Sequence, residues 1–582
     1  MEISSPKPLA SRVERFWYWG LLAVALFTVG FIRLRLLDFP LERDEGEYAY
    51  AGQLILQGTP PYQECYNMKW PGTYVAYAVI MALFGETSTG IHLGLLFVTL
   101  ASAWLVFLIG RRIGGEGMGA VAGATQALLS VNPSVLGLAG HATHFVALPA
   151  LMGIWILMKP WEKLGRGRCL AAGGLFGLAC IMKQPGAVFG LFAAIWLLWR
   201  GLVERERSAR NLREVTKRVG FLAAGGIGAL LLMVCALAAA GVYAAFWHWT
   251  MEYARAYAGI LTFSQGLERL AATAGALWAA ASWVWLLAAS GLVLLWCEQT
   301  LRRWRFFLVG FFAFSFAGVC PGFYFREHYF LLLIPAASLL CGAAWRAWSC
   351  SAGRVLCWVA RTAGVNRGPA LAWVSRPGSV IAARAVFGGL IALALGSSLA
   401  TSADVFFWLT PDQACRKVYP ANPFPEAVEI ARQIAGHCPP EARIAVLGSE
   451  PEIYFYSHRR AATGYIYTYA LVEAQPFASE MQREMIREIE RAAPEYLVYV
   501  SAPASWLARE GFDPAIFSWA KRYLQDQMNL NGVVEMLPDS DSESQWDLSD
   551  PVLKPRTNCW LGIFKRKPRR APVTINLGAS AL

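Results

Sequence analysis

Charged residues are scarce in this sequence: Asp, Glu, Lys and Arg make up 16% of its 582 residues, whereas hydrophobic residues make up 56%. This composition excludes an ordinary soluble enzyme and indicates a polytopic membrane protein. The 12 cysteines are scattered and include no Cys-x-x-Cys, which argues against a disulfide framework or a zinc site. The formal charge of +12 does not indicate nucleic acid as a partner. The basic residues lie in short loops between apolar runs, where they set membrane topology.

Long apolar runs follow one another between residues 16 and 401. Runs close to the length that crosses a bilayer, roughly 17–25 residues, lie at 16–37, 89–110, 117–138, 144–159, 169–182, 186–200, 219–245, 272–297, 306–320, 329–346 and 385–401. A further run at 71–85 is shorter and only moderately apolar. If it does not cross, the basic loops all fall on the cytoplasmic face. The sequence therefore predicts about eleven spans, a cytoplasmic N-terminus and an interfacial helix at 71–85.

Beyond Thr401 the sequence becomes polar and rich in proline. Short strand-like runs at 443–448, 496–500 and 532–536 alternate there with helical patterns, which is typical of an α/β domain. No Gly-x-Gly-x-x-Gly occurs in this part, so we do not expect a nucleotide to bind to it.

These patterns predict a mainly α fold. Residues 1–403 are expected to form a transmembrane helical bundle, with interfacial helices in a first external loop over 38–88. Residues 404–582 are expected to form an α/β domain on the extracytoplasmic side of the cell (inner) membrane.

An acidic motif, Arg43-Asp44-Glu45-Gly46-Glu47-Tyr48, comes directly after the first apolar run. A charge cluster at the edge of a membrane is costly to keep dry, so we expect it to face a water-filled cavity. One interpretation is a solvated helix N-terminus, where acidic residues are favourable. The other is a general base whose pKa is tuned by an apolar wall and nearby cations.

Isolated cations occur on the predicted external face, where sorting of positive charge should deplete them. Lys183 lies between two apolar runs, and Arg326 and His328 lie in Phe325-Arg-Glu-His-Tyr329. Taken singly, each could extend to the membrane interface, or Arg326 could pair with its neighbour Glu327. Taken together, they suggest an anion site, because Lys and Arg are suited to bind a phosphate such as that of a lipid.

The second external loop contains Gly140-His-Ala-Thr-His144. His141 and His144 could bind a metal if a carboxylate joined them. Hydrogen bonding to a sugar or a phosphate is an equally open interpretation. We therefore assign no metal ligand and no certain cofactor, and a divalent metal stays an open alternative.

The acidic motif, Lys69-Trp-Pro-Gly72, Gly110-Arg-Arg112 and His328-Tyr-Phe-Leu-Leu-Leu-Ile-Pro335 resemble motifs of the GT-C superfamily of membrane glycosyltransferases. In particular, the chain resembles bacterial relatives of the dolichyl-phosphate-mannose protein mannosyltransferases and of the lipid A aminoarabinose transferases. It implies an inverting transfer of a sugar from a polyprenyl-phosphate donor to an acceptor on the extracytoplasmic face. The acceptor could be a glycan, a lipid or a protein.

By this resemblance Asp44 would be the catalytic base and Glu45 would support it. Lys183, Arg326 and His328 would hold the donor phosphate. A last set of residues has a weaker claim to contact the substrate: Arg43, Glu47, Lys69, His141, His144 and Tyr329.

Two other functions compete with glycosyl transfer. A transporter or flippase of an amphipathic lipid would more usually show paired halves and charges near mid-span. A non-catalytic anchor for the α/β domain would not need so many spans. The clustering of charge at one external rim favours the enzyme.

Overall fold

The computed structural model describes residues 12–203, 209–362, 377–509, 511–537, 542–548 and 555–568. Helices predominate, which confirms the predicted fold class. The chain forms two compact units, one of residues 1–63 and 68–420 and the other of residues 64–67 and 421–582. The boundary that we predicted at 403/404 falls inside the first unit, and the roles assigned to the two predicted domains stay predictions.

The first unit is helical throughout its described part. Its helices are α1 (Arg12–Arg35), α2 (Arg43–Leu56), α3 (Pro71–Phe84), α4 (Ser88–Gly114), α5 (Glu116–Leu129), α6 (Ala142–Leu157), α7 (Arg166–Met182), α8 (Ala187–Leu202), α9 (Ala209–Ala239), α10 (Tyr243–Trp247), α11 (Ala254–Ala258), α12 (Phe263–Leu294), α13 (Gln299–Ala317), α14 (Ile334–Thr362), α15 (Pro377–Ala400), α16 (Ala403–Phe407) and α17 (Pro411–Val418). A π-helical turn, His248–Tyr253, joins α10 to α11. Short 3-10 turns at Pro133–Val135, Gln184–Gly186 and Glu327–Leu332 precede α6, α8 and α14.

A helix lies at each of the predicted apolar runs, and α3 lies at the interfacial run 71–85. Within the described ranges, six helices are long and apolar enough to cross a bilayer: Glu14–Arg35, Ser88–Gly114, Gln184–Leu202, Asn211–Ala239, Phe263–Leu294 and Ser379–Ala400. The chain is thus a multi-pass membrane protein. The count of about eleven spans, for which shorter or tilted helices must also cross, stays a prediction. So does the orientation of the termini, and residues 1–11 lie outside the described residues.

Helices α7 and α9 cross in close contact because glycines face each other there. A Cβ placed on Gly173 would lie 1.9 Å from the Leu222 carbonyl oxygen, and one on Gly225 would lie 2.0 Å from that of Leu170. Small residues at such crossings let helix backbones approach and gain van der Waals contact, which drives helix association within a membrane. Any larger side chain at these positions would separate the two helices.

The second unit is an α/β domain, as predicted. Its elements are α18 (Phe424–His437), β1 (Arg443–Leu447), α19 (Glu452–Ser457), β2 (Arg460–Ala461), α20 (Tyr469–Val472), α21 (Ala478–Ala492), β3 (Tyr496–Ser501), α22 (Pro503–Trp506), α23 (Ala515–Gln527), β4 (Met528–Glu535), β5 (Glu543–Trp546) and β6 (Trp560–Arg566). The sheet has the order β2-β1-β3-β6-β4-β5. Strand β1 runs parallel to β2 and β3, whereas β6 and β4 pair antiparallel with their neighbours.

A short stretch between α2 and α3, Glu64–Asn67, belongs to this second unit. The Tyr66 amide donates a hydrogen bond to the Gly464 carbonyl oxygen at 2.8 Å, and the Tyr66 hydroxyl donates to Glu488 at 3.1 Å. Glu64 pairs with Arg443 and Arg460, each at 3.3 Å. The second unit is therefore built from two separate stretches of sequence.

Candidate active site

The acidic motif forms the N-terminal turn of α2. The Glu42 side chain caps the helix by accepting a hydrogen bond from the Glu45 amide at 3.0 Å. Asp44 and Glu45 lie in the first turn, where the partial positive charge of the helix end stabilises carboxylates. Glu45 and Glu47 are fully buried, Arg43 is 8% exposed, and the Asp44 side chain keeps 13% of its surface exposed. Asp44 is thus the carboxylate of the predicted motif that a ligand can reach.

Lys69 joins two carboxylates of this turn. Its ammonium lies 2.7 Å from Asp44 Oδ1 and 2.6 Å from Glu47 Oε2, and the Tyr74 hydroxyl donates to Glu47 Oε1 at 2.6 Å. Burial would raise the pKa of Asp44, but the charge of Lys69 and the contact with His141 outweigh it and hold this pKa well below the usual range. Asp44 is therefore ionised at neutral pH.

Glu42 behaves in the opposite way. Burial, together with the negative charge of Asp44, raises the pKa of Glu42 to about 7. Glu42 therefore carries the proton that this crowded acidic cluster retains near neutral pH. Our sequence analysis missed Glu42, although its place directly before the motif is a helix-capping position that could have indicated it.

The Glu45 side chain is buried and binds the loop that precedes α6. Glu45 Oε1 accepts a hydrogen bond from the Gly140 amide at 2.5 Å and lies 3.2 Å from His92 Nε2. The Tyr77 hydroxyl donates to the Gly140 carbonyl oxygen at 2.6 Å. From α1, the buried Arg33 donates to the Gly137 carbonyl oxygen at 2.8 Å. Polar side chains from three helices, α1, α2 and α3, thus fix the loop just before His141.

His141 and His328 lie beside Asp44. Their rings stack with centroids 4.1 Å apart and planes 10° apart. His141 Nδ1 lies 3.5 Å from Glu42 Oε1 and 3.8 Å from Asp44 Oδ2, and His328 Nε2 lies 3.9 Å from Asp44 Oδ2. These separations exceed normal hydrogen-bond lengths, so the polar atoms point at a common space but do not hydrogen-bond to one another.

The same three residues could hold a metal ion. Asp44, His141 and His328 each offer one ligand atom, and these atoms lie within 4.8 Å of one another. Burial holds the pKa of His328 well below its usual value, which keeps its imidazole neutral and able to coordinate. One carboxylate and two imidazoles suit a zinc-like divalent cation. The donor set therefore fits the divalent metal that the sequence left open, with His328 in place of His144.

Lys183 interacts electrostatically with Asp44, and Arg326 with Lys183. Burial lowers the pKa of Lys183 to about 7. The positive charges of Lys69 and Arg326 also lower this pKa, whereas the negative charge of Asp44 opposes the shift. Its ammonium lies 4.1 Å from the centre of the Tyr329 ring. Arg326 lies 5.7 Å from the Tyr324 ring. Of the remaining predicted residues, His144 is buried in the first turns of α6. The structure thus brings Asp44, Lys69, Lys183, His141 and His328 into one cluster.

Comparison with known proteins identifies similar sequences and folds. A family model described as dolichyl-phosphate-mannose-protein mannosyltransferase matches residues 69–233. No curated protein matches the sequence. Among solved structures, apo ArnT from Cupriavidus metallidurans is similar, with 17% identity, a TM-score of 0.52, and coverage of 88% of this chain and 95% of ArnT. The oligosaccharyltransferase AglB from Archaeoglobus fulgidus, in complex with an inhibitory peptide and a dolichol-phosphate, is also similar. It shows 12% identity and a TM-score of 0.50, with coverage of 93% of this chain and 75% of AglB.

Both of these proteins have the GT-C fold, and the resemblance predicted from the sequence motifs is confirmed. At such identities the likeness establishes the fold. The roles of individual residues have to be argued from the site itself.

Proposed function

We propose that this chain, which has the GT-C fold of membrane glycosyltransferases, transfers a sugar from a polyprenyl-phosphate donor to an acceptor on the extracytoplasmic face. The observation that carries the proposal is the cluster itself. A carboxylate that is ionised at neutral pH, Asp44, interacts electrostatically with the half-buried Lys183, on which the charge of Arg326 also acts. A base next to an anion site is what transfer from a sugar phosphate to a hydroxyl requires.

In the proposed reaction, Asp44 accepts the proton of the acceptor hydroxyl. The hydroxyl oxygen attacks the anomeric carbon of the donor sugar as the bond from that carbon to the phosphate oxygen breaks. The bonding electrons leave with the polyprenyl phosphate, and in-line attack inverts the configuration. Lys183 and Arg326 stabilise the negative charge that grows on the departing phosphate, an effect that commonly supplies much of the rate enhancement.

Lys69 gives this site a way to activate its base. It is shared by Asp44 and Glu47, and its charge is the main favourable influence that lowers the pKa of Asp44. A lipid phosphate that attracts Lys69 would weaken its contact with Asp44. The pKa of Asp44 would then rise and the carboxylate would become a better proton acceptor. If a divalent cation bound, Asp44, His141 and His328 would hold it, and it would supply positive charge that stabilises the donor phosphate while lowering the basicity of Asp44.

The test is the variant Asp44→Asn, compared with Asp38→Asn as a matched control in the same external loop. Asp38 accepts a hydrogen bond from Thr89 and belongs to no ion pair of the described cluster. We expect Asp44→Asn to lower transfer by about 10²–10⁴-fold, the usual contribution of a general base, and Asp38→Asn to leave it unchanged. The assay is release of polyprenyl phosphate from a panel of polyprenyl-phosphate-linked sugars in proteoliposomes supplied with cell-envelope extract. Full activity of Asp44→Asn would refute the assignment.

The same proteoliposomes address the alternative of a transporter or flippase. Movement of a labelled lipid-linked sugar across the bilayer, with no release of polyprenyl phosphate from any donor, would favour that alternative over glycosyl transfer.

A further inference from the structure

The start of α3 abuts the end of α7, and each of these helix ends carries a lysine of the candidate active site. Lys69 lies two residues before α3 begins, and Lys183 is the C-cap residue of α7. The two backbones are in direct contact there. A Cβ added to Gly72 would lie 2.6 Å from the Ile181 carbonyl oxygen, so a larger residue would force the helix ends apart. The spacing of Lys69 and Lys183 therefore depends on how these two helix ends join.

Two side chains tie the helix ends together. The Thr73 hydroxyl donates a hydrogen bond to the Met182 carbonyl oxygen at 2.9 Å. This carbonyl is one of the last four of α7, which lack an amide partner within their own helix. The Gln184 side-chain amide donates to the Met68 carbonyl oxygen at 3.2 Å. Each tie thus ends on the residue directly before one of the two lysines.

The ties hold two like charges close to each other. The charge of Lys69 acts on Lys183, and like charges repel at short range. The Lys69 ammonium is oriented by Asp44 and Glu47, at 2.7 and 2.6 Å. The Lys183 ammonium lies 4.1 Å from the centre of the Tyr329 ring. An anion between the two ammonium groups would replace their repulsion by two attractions.

We propose that Thr73 and Gln184 are positioning residues, which hold Lys69 and Lys183 at the spacing that lets one lipid phosphate contact both ammonium groups. A phosphate monoester presents three acceptor oxygens, enough for two charge-assisted hydrogen bonds. Cations that are ordered before the ligand arrives bind it more tightly, because less freedom is lost on binding.

This inference rests on the proposed function in one respect only, the polyprenyl phosphate as ligand. It concerns binding and not turnover, so it is tested without glycosyl transfer. Thr73 and Gln184 act through the two lysines. Their replacement should therefore weaken lipid binding only while both lysines are present.

The experiment is a titration of the full chain in detergent with polyprenyl phosphate, followed by microscale thermophoresis. Thr73→Val and Gln184→Met each remove a hydrogen-bond donor without adding charge, whereas Thr73→Ser keeps the hydroxyl. Thr73 is 1% exposed and Gln184 is half-buried, so Gln184→Met still tests the proposal if Thr73→Val does not fold. The matched control is Thr99→Val, because Thr99 is equally buried and donates to the Leu95 carbonyl oxygen at 2.8 Å within α4.

We expect Thr73→Val and Gln184→Met each to bind the lipid about tenfold more weakly, since a misplaced ammonium loses a charge-assisted hydrogen bond. Thr73→Ser and Thr99→Val should bind it like the wild type. The decisive comparison repeats both substitutions in a Lys183→Met background. With no second ammonium left to position, the loss should fall below about twofold, whereas a general structural defect would add its full effect there.

Three results would overturn the proposal: no binding of polyprenyl phosphate by the wild type, wild-type affinity in either Thr73→Val or Gln184→Met, or the same loss with and without Lys183. An equal loss in Thr99→Val would equally contradict it. If the affinities are as expected but no sugar is transferred, the proposed function alone is refuted, so the two failures are distinguishable.

Discussion

Replacement of Glu45 tests whether this residue positions the site or takes part in the chemistry itself. Glu45 is fully buried, and its Oε1 accepts a hydrogen bond from the Gly140 amide. His92 Nε2 lies 3.2 Å from the same oxygen. His92 Nδ1 lies 2.8 Å from the Leu37 carbonyl oxygen, so Nδ1 carries a proton there. Since Nε2 faces a carboxylate, it carries the second proton, and the pair is ionic.

Glu45→Ala removes one partner of this buried ion pair and the acceptor of the Gly140 amide. Breaking a buried pair in this way costs about 3–5 kcal/mol. Glu45→Gln preserves the geometry, because its amide oxygen can accept from Gly140 while its NH₂ group donates to neutral His92. We therefore expect Glu45→Gln to cost less than about 1.5 kcal/mol, close to the value of one hydrogen bond.

Transfer activity should depend on whether the loop at Gly140 keeps its position. Glu45→Ala should lower transfer by about 10²-fold, since displacing a site by about 1 Å has that effect, and Glu45→Gln should stay within about tenfold of the wild type. Thermal unfolding in detergent and polyprenyl phosphate release measure the two quantities on the same samples. If Glu45→Gln were as inactive as Asp44→Asn with unchanged thermal stability, Glu45 itself would take part in proton transfer, and the positioning argument would fail. Equal stability of Glu45→Ala and the wild type would contradict the assigned ion pair.

Two further outcomes follow from the described residues. Because the pKa of Lys183 is about 7, Lys183 must take up a proton when a phosphate binds at higher pH. Affinity for polyprenyl phosphate should therefore fall up to tenfold per pH unit above about pH 7, and Lys183→Met, measured by the same lipid titration, should lose this dependence. Gly173→Ala should destabilise the protein by about 1–3 kcal/mol through overpacking against Leu222. Gly220→Ala, on a helix position with open space, should not, and equal melting temperatures of the two variants would refute the close helix crossing.

The sequence was informative where local patterns decide the structure. Apolar runs predicted the helices, and the alternation beyond Thr401 predicted the strands, because both depend on neighbouring residues. The acidic motif was found for the same reason. Contacts between distant residues were not predictable: Glu45 meets His92 and Gly140 across 47 and 95 positions. Their pairing depends on how helices pack, which a single sequence does not encode in a readable pattern. Sequence motifs therefore indicated the proposed base but not the side chains that orient its surroundings.

The discontinuity of the α/β domain limits how it can be dissected. Glu64–Asn67 and the stretch from Ala421 onward fold as one body, and the chain re-enters the helical body at Met68, next to Lys69. A stop codon after Pro420 would strand Tyr66 and Glu64 without Gly464, Glu488 and Arg443. A separate fragment of residues 404–582 would lack Glu64–Asn67. Domain deletions of this protein thus report on a damaged first loop as well as on the missing domain, and only point substitutions separate the two.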